Sequence, residues 1–275
     1  MAQLIGGLGT SHIPAIGNAL HKGLQQEPYW KPFFDGFPPI RQWLHAQQPD
    51  VAVVFYNDHG LNFFLDTMPT FAVGAAAQYP NADEGWGIPT LAPLRGELDL
   101  SWHLINSLVA QEFDLTTCQE MLVDHACTLP LKLFWPEGDC PVTVVPVCIN
   151  TVQFPLPSAR RCYALGKAVG AAIHSWNSDK KVAVIASGGL SHQLDGARAG
   201  FINKPFDLQF IDSLATNPEW ATQFSTHALV EQVGTQGVEL LMCGWPCAGP
   251  WRLPAPVCAG CTAITTSPSP TRPRR

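Results

Sequence analysis

The sequence predicts a single α/β domain whose central sheet, mixed or mostly parallel, is flanked by helices. Short apolar stretches with the length and β-branched content of buried strands alternate with longer stretches of helical periodicity. The chain has 275 residues, 46% of them hydrophobic, which is enough to close a substantial core. Folds of this class bind their ligands beyond the carboxyl ends of the strands, so functional residues are expected at the strand ends.

Four apolar stretches predict buried strands, and five helical patterns lie between or after them. The predicted strands are QLIGGLGT (3–10), DVAVVFY (50–56), VTVVPVCIN (142–150) and KVAVIAS (181–187). The predicted helices are PPIRQWLHAQQ (38–48), LDLSWHLINSLVAQEF (98–113), SARRCYALGKAVGAAIHSW (158–176), FDLQFIDSLATN (206–217) and STHALVEQVGTQGVELLM (225–242). Residues 66–98 are rich in Gly, Pro and Ala, which predicts a long functional loop or a small excursion from the main fold.

Composition narrows the classes of partner. Charged residues make up 14% of the chain, against about 25% in an average soluble domain, so we expect another subunit to cover part of the surface. The net charge of -6 and the absence of a stripe of basic residues argue against nucleic-acid binding. No apolar run approaches the roughly 18 residues of a membrane span, and the start lacks a basic signal region, which predicts a cytoplasmic protein.

The segment 243–275 differs from the rest because it is rich in Pro, Cys, Gly and Arg and has no periodicity. One interpretation is a zinc site, whose spacing would use Cys243, Cys247, Cys258 and Cys261. The other is a shifted reading frame. In this alternative frame, each new codon consists of the third base of one codon and the first two bases of the next. Read in this way, residues 244–249 can encode LAMRGA and residues 259–273 can encode RLHRHYHIPVSNTA. The second interpretation predicts a catalytic domain at 1–242 and a disordered, non-native tail at 243–275.

Histidines follow three of the predicted strands. His12, His59 and His192 each come after a strand and directly follow a serine or an aspartate, and Asp124-His125 opens or precedes a loop. A single histidine of this kind is more often a structural residue bonded to a backbone carbonyl. Because the carboxyl ends of parallel strands share one edge of a sheet, the three strand-end histidines are expected to converge in a cleft.

Two imidazoles and one carboxylate form the facial metal site of non-haem Fe(II) oxygenases, which leaves positions open for substrate and dioxygen. Glu239 is the best candidate for the carboxylate, because an acid within the apolar GVELLM segment is poorly solvated unless it is paired or bound to a metal. Asp58 and Asp124 are alternatives, or they accept hydrogen bonds from the histidines. A zinc-dependent hydrolase would use the same residues, and a pseudo-enzyme without catalysis is the third hypothesis.

Several motifs together carry a resemblance to a known family: SHIPAIG, YNDH, PTFAVG, ADEGWG, DHACTLPL, SGGLSHQLDGARAGFINKPFD and GVELLM. Across residues 1–242 the chain resembles the catalytic β subunits of protocatechuate 4,5-dioxygenases, which are class III extradiol ring-cleaving dioxygenases. The resemblance implies an Fe(II) cofactor held by His12, His59 and Glu239. It also implies that His192 is the acid/base beside the substrate and that His125 lines the same pocket.

The resemblance further implies the reaction and the assembly. A catechol and dioxygen react so that the ring opens beside the two hydroxyls. Asn57, Asp58 and Asp124 would support the metal-binding side chains. Protocatechuate, gallate and 3-O-methylgallate remain alternative substrates. A small helical α subunit caps the cleft in an α2β2 assembly. Members of the family continue past the glutamate helix into a segment similar to HYHIPVSNTA, whose Ser-Asn pair contributes to the pocket. We therefore expect the chain with its present tail to be impaired or inactive, even though its iron ligands are retained.

Overall fold

The computed structural model describes residues 1–239 and the pair 257–258, and its main feature is a seven-stranded sheet between two layers of helices. The strands are β1 (Gln3–Thr10), β2 (Val51–Tyr56), β3 (Phe71–Gly74), β4 (Gln78–Tyr79), β5 (Leu94–Arg95), β6 (Thr116–Cys118), β7 (Thr143–Ile149), β8 (Lys181–Ser187) and β9 (Val257–Cys258). The order in the main sheet is β6-β3-β7-β2-β8-β1-β9, while β4 and β5 form a separate pair.

The helices divide between the two faces of the sheet. They are α1 (Pro14–His21), α2 (Lys31–Phe34), α3 (Phe37–Gln47), α4 (Leu98–Ala110), α5 (His125–Phe134), α6 (Ala159–Ser175), α7 (Lys204–Thr216) and α8 (Thr226–Val233). Side chains of α4, α6, α7 and α8 share one apolar cluster, and those of α1, α2, α3 and α5 share the other. The predicted α/β sandwich is therefore confirmed.

The central strand β2 shows why the apolar stretches are continuous. All six of its residues are completely buried. Val53 and Phe55 belong to one core cluster, whereas Ala52, Val54 and Tyr56 belong to the other, as the alternation of side chains along a strand requires. A strand covered by helices on both faces needs apolar residues at every position.

The four neighbouring strands β7, β2, β8 and β1 are parallel, whereas β3 runs antiparallel to β7. The carboxyl ends of β1, β2 and β8 consequently lie at one edge of the sheet. The segments that carry His12, His59 and His192 leave the sheet at that edge, as predicted.

Three sequence-based expectations were wrong in detail. His125 starts α5 rather than a loop, and Asp124 caps this helix by accepting hydrogen bonds from the backbone N–H groups of Ala126 and Cys127. The pattern at 225–242 is not one helix, because α8 ends where Gly234 adopts a φ of 82°, and helical backbone resumes at Val238. Residues 66–98 are not one loop, since they contain β3, β4 and β5.

The tail is largely outside the described residues. Of the segment 243–275, only the backbone of β9 is described, where it pairs parallel with β1 at Leu8 and Gly9. The predicted disorder of this segment and its alternative zinc site fall on residues outside the described part, and both stay predictions. Within the described residues, no helix is long and apolar enough to cross a membrane.

Candidate metal centre

Two strand-end histidines and Glu239 meet at the carboxyl edge of the sheet. The Nε2 atom of His12 lies 3.4 Å from one carboxylate oxygen of Glu239, and the Nε2 atom of His59 lies 4.0 Å from the other. His12 and Glu239 are buried, whereas the side chain of His59 is 28% exposed. The fold thus brings together side chains that lie far apart in the sequence.

The other ring nitrogen of each of these histidines is occupied. Nδ1 of His12 lies 2.9 Å from the Ser187 hydroxyl, and Nδ1 of His59 lies 2.9 Å from a carboxylate oxygen of Asp124. That oxygen also accepts a hydrogen bond from the backbone N–H of His59. Both the ring and the backbone of His59 are therefore fixed by one buried side chain.

Pro130 explains how Ser187 is oriented. In α5 the missing N–H of Pro130 leaves the carbonyl of Ala126 without its helical partner, and the Ser187 hydroxyl donates to that carbonyl instead. With its proton used in this way, the hydroxyl oxygen accepts the Nδ1–H of His12.

These partners settle which ring nitrogen of His12 and His59 carries the proton. Because the Ser187 oxygen and the Asp124 carboxylate accept, Nδ1 carries the hydrogen in each neutral ring, and Nε2 is left with a lone pair. The lone pair of His12 then faces an acceptor oxygen of Glu239, and that of His59 lies between the other oxygen and the amide nitrogen of Asn57. Such a cluster of acceptors is favourable when a cation lies between them, so these three side chains could hold a metal ion.

The spacing suits a metal as well. Bonds of roughly 2.0–2.2 Å between a metal and its nitrogen or oxygen ligands separate neighbouring ligand atoms by about 3.0–3.5 Å. The 3.4 Å and 4.0 Å distances to Glu239 are close to that range. His125 also belongs to the cluster, since potential ligand atoms of His12, His59 and His125 all lie within 4.8 Å of one another.

The electrostatics of the three side chains differ. Burial lowers the pKa of His12, which keeps its ring neutral. Burial also acts to lower the pKa of His59, but the hydrogen bond and the charge of Asp124 outweigh it, so the pKa of His59 is raised. Burial acts to raise the pKa of Glu239, but contact with His12 and the charges of the histidines lower it to about 2, so this carboxylate is ionised.

His125 lies beside the pair of strand-end histidines. Its ring centroid is 4.5 Å from that of His59 and 5.4 Å from that of His12. Nδ1 of His125 is 2.8 Å from a carboxylate oxygen of Glu84, and the backbone N–H of His125 donates to the other oxygen at 2.7 Å. Glu84 belongs to the ADEGWG motif, but its partnership with His125 was not predicted.

His192 is held among glycines. Its Nδ1 donates to the carbonyl of Leu190 at 2.7 Å, and its backbone N–H donates to Val233 at 2.8 Å. A Cβ added at Gly189 would lie 2.6 Å from the ring, and one added at Gly237 would lie 2.7 Å from the backbone nitrogen of His192. The ring is close enough to Glu239 for its charge to lower the pKa of that carboxyl.

Of the remaining predicted residues, Asn57 and Asp124 contact the metal-centre side chains, whereas Asp58 does not. The amide nitrogen of Asn57 lies 3.4 Å from Glu239 and 3.2 Å from Nε2 of His59, so Asn57 contacts the centre directly. Asp124 binds His59, which follows another strand, rather than the neighbouring His125.

Asp58 has a different place from the one expected, because its carboxylate accepts hydrogen bonds from the four backbone N–H groups of residues 60–63. It thus stabilises the turn that follows His59. No contact of its carboxylate with a site histidine occurs among the described residues.

Two residues that fix the histidines were missed by sequence reasoning. Ser187 is the last residue of β8 and reads as part of an apolar strand, and Glu84 lies in the segment between β4 and β5. The only signal for Glu84 is its place in a motif that also carries the family resemblance. Ser187 has no such signal, because its role depends on the carbonyl that Pro130 leaves unpaired.

Comparison with known proteins identifies relatives. The family model described as "Catalytic LigB subunit of aromatic ring-opening dioxygenase" matches residues 6–244. A gallate dioxygenase of Pseudomonas putida is 39% identical over 161 residues, which cover 58% of this chain and 47% of that protein.

Two relatives carry the name 2,3-dihydroxyphenylpropionate/2,3-dihydroxicinnamic acid 1,2-dioxygenase. The one from Photorhabdus laumondii is 34% identical over 183 residues, covering 66% of this chain and 54% of that protein. The one from Mycolicibacterium vanbaalenii is 40% identical over 153 residues, covering 55% of this chain and 46% of that protein. The chain thus spans about half the length of the curated relatives it matches.

Proposed function

The chain belongs to the family of catalytic LigB subunits of aromatic ring-opening dioxygenases, and on that premise we propose that it is a non-haem Fe(II)-dependent extradiol dioxygenase. Its proposed substrate is protocatechuate, opened between carbons 4 and 5 by dioxygen to 4-carboxy-2-hydroxymuconate 6-semialdehyde. The observation that carries the proposal is the meeting of His12, His59 and Glu239, with Nε2 of each ring facing the carboxylate.

In the proposed centre, His12, His59 and Glu239 bind the metal. Two neutral nitrogens and one carboxylate are the donor set of non-haem iron oxygenases. A ferrous ion bound there would supply the redox chemistry that allows a catechol to react with dioxygen. Asn57 donates a hydrogen bond of 3.4 Å to one oxygen of Glu239, which would help to hold the carboxylate in position for a metal.

His192 and His125 would manage the protons of the substrate. The Nδ1–H of His192 is bonded to a carbonyl, so Nε2 is the nitrogen available to take a phenolic proton and return it during ring opening. His125 is 5% exposed and also keeps Nε2 available, which suits it to accept a hydrogen bond from a substrate hydroxyl. The close packing of His192 against Gly189 and Gly237 would keep its ring in one position.

Gallate is the second candidate substrate. It is favoured by the gallate dioxygenase of P. putida, which is 39% identical over 161 residues. Protocatechuate, gallate and 3-O-methylgallate share adjacent hydroxyls and a carboxylate, so the same centre could bind each of them. In this proposal, loops and a second subunit supply the groups that distinguish these substrates.

The proposal extends to partners and location. We propose that a small helical α subunit covers the cleft in an α2β2 assembly and that the enzyme acts in the cytoplasm. Large exposed side chains follow the strand ends, namely Phe64, Leu65, Val152, Phe154 and Leu194, which is consistent with a covered surface.

An oxygen-uptake assay tests the proposal. The full chain, loaded anaerobically with Fe(II), should consume dioxygen when protocatechuate is added, with gallate and 3-O-methylgallate assayed in parallel. Uptake should stop after chelation and return with Fe(II) but not with Zn²⁺. Activity with zinc that is indifferent to dioxygen would instead identify a hydrolase, and failure to bind any metal or catechol would identify a pseudo-enzyme.

The tail predicts a second result. If residues 243–275 come from a shifted frame, restoring that frame returns the HYHIPVSNTA segment and should raise the rate of ring cleavage. The match to the family model ends at residue 244, near the start of the unusual segment. A frame-restored chain that is no faster than the present one, at equal iron content, would contradict this part of the proposal.

A further inference from the structure

We propose that Glu84 is a positioning residue for His125, which holds the imidazole in one orientation and one tautomer beside the metal centre. The effect on catalysis rests on the function proposed above. The geometry itself depends only on contacts among described residues. Glu84 lies 41 positions before His125, in the segment that connects β4 and β5.

The Glu84 carboxylate binds His125 at two points. One oxygen is 2.8 Å from Nδ1, and the other accepts the backbone N–H at 2.7 Å while lying 3.0 Å from Nδ1. Ring and backbone of His125 are thereby tied to the same group. Because a carboxylate only accepts hydrogen bonds, Nδ1 must carry the proton and Nε2 is left for the substrate.

The segment that carries Glu84 is itself anchored on both sides. Before Glu84, the backbone N–H of Ala82 donates to Val123 at 3.2 Å. After it, the carbonyl of Trp86 accepts a hydrogen bond of 2.8 Å from the amide of Asn18 in α1. The carboxylate is therefore delivered by a fixed backbone, so it can impose an orientation on His125 rather than follow the ring.

The position of His125 makes this orientation matter. The residue is 5% exposed, so few water molecules could replace a lost partner of Nδ1. Its ring is 4.5 Å from that of His59, and a half-turn of the ring would put carbon atoms in the places of Nδ1 and Nε2, beside a proposed metal ligand. Asp124 serves His59 in the same manner, with one oxygen shared between Nδ1 and the backbone N–H.

Variants at Glu84 test the catalytic consequence, with Asp83 as a matched control. Glu84→Ala should lower kcat about 10–100-fold, while KM for the catechol and the iron content change less than about threefold. Glu84→Gln should recover part of kcat, because its amide oxygen can still accept from Nδ1. Asp83→Asn should behave as wild type, since the Asp83 carboxylate lies in an exposed turn and, among the described residues, accepts a hydrogen bond from Gly85 alone.

A double-variant cycle separates positioning from a general structural role. If Glu84 acts through His125, Glu84→Ala should cause no further loss of kcat in a His125→Ala background. Fully additive losses would overturn the proposal, as would an unchanged kcat in the single variant. Equal thermal unfolding temperatures for Glu84→Gln and wild type would exclude misfolding as the cause.

A measurement without catalysis keeps this inference apart from the proposed function. Nitrogen-15 NMR of the metal-free full chain, at a pH above the imidazole range, should show His125 with its proton on Nδ1. The Glu84→Ala variant should show a mixture of tautomers or the Nε2–H form. An unchanged His125 signal would overturn the inference, whereas absence of ring cleavage by the wild type alone would contradict only the proposed function.

Discussion

His12 and His59 present the same atom to Glu239 but are supported in opposite ways. His12 is 2% exposed and donates from Nδ1 to the neutral hydroxyl of Ser187. The side chain of His59 is 28% exposed and donates to the buried carboxylate of Asp124. The pKa of His12 is lowered because the ring is buried, whereas Asp124 raises the pKa of His59 against the effect of burial.

The difference shows how the same ring orientation is fixed for one buried and one partly exposed histidine. A carboxylate beside His12 would be a second buried charge next to Glu239, which is costly to desolvate, so a neutral acceptor suits that side. His59 is more exposed to water, and a strong, charge-assisted hydrogen bond from its ring to Asp124 holds it in place. The two sides should therefore respond differently to substitution and to pH.

The largest effect is expected for the carboxylate that both histidines face. Glu239→Ala should weaken metal binding by more than about 100-fold and should abolish ring cleavage. Substitution of a residue that only hydrogen-bonds to a metal ligand usually lowers metal affinity about 10–100-fold. Glu231→Ala is the control, because Glu231 is exposed and pairs with Arg198. Metal content measured after dialysis distinguishes them, and a metal-loaded Glu239→Ala protein would show that the carboxylate is not a ligand.

The next effect sharpens the comparison on the His59 side. Asp124→Asn keeps a capping oxygen for α5 but turns an amide N–H2 towards His59, which favours the opposite tautomer and removes the Nε2 lone pair. Metal affinity should fall about 10–100-fold. Titration with Fe(II) under anaerobic conditions measures the change, and an unaltered affinity would mean that Asp124 does not orient His59.

The pH dependence should report His59 rather than His12. A protonated imidazole cannot bind a metal, and the pKa of His59 is raised above 6.5, so affinity should fall by up to about tenfold per unit as pH drops below that raised value. Because the pKa of His12 is lowered, protonation of His12 should weaken metal binding only at more acidic pH. In Asp124→Asn the decline should begin at a lower pH than in wild type; an identical onset would contradict the assignment to His59.

The smallest effect is expected on the His12 side. Ser187→Ala removes a neutral acceptor and leaves the buried Nδ1–H of His12 unpaired, which should weaken metal affinity about 3–10-fold and cost about 1–3 kcal/mol of stability. Because no charge is lost, the pH onset of metal binding should stay that of wild type. If Ser187→Ala lowered metal affinity more than Asp124→Asn does, the hydrogen bond of His12 would matter more than that of His59, contrary to our expectation.

Much of the fold and part of the site could be predicted because their signals are local. Strand length and β-branched content mark β1, β2, β7 and β8, and parallel strands place their carboxyl ends at one edge. That rule alone brings His12, His59 and His192 to the same side of the molecule. The burial of Glu239 was expected because its neighbours are apolar.

The rest depended on contacts between distant segments. The start of α5 was missed because Pro130 in HACTLPL argues against a helix, although burial of this helix overrides that preference. Glu84 and Ser187 were missed because their partners, His125 and His12, are 41 and 175 positions away. The break at Gly234 was missed because an apolar periodicity continues across it.

The most direct test is a crystal structure of the anaerobic, Fe(II)-loaded protein with anomalous diffraction recorded at the iron edge. We expect one strong peak, within about 2.0–2.3 Å of Nε2 of His12, Nε2 of His59 and a carboxylate oxygen of Glu239. A peak bound by Glu84 or Asp124 in place of Glu239, or no peak between the two histidines, would contradict it.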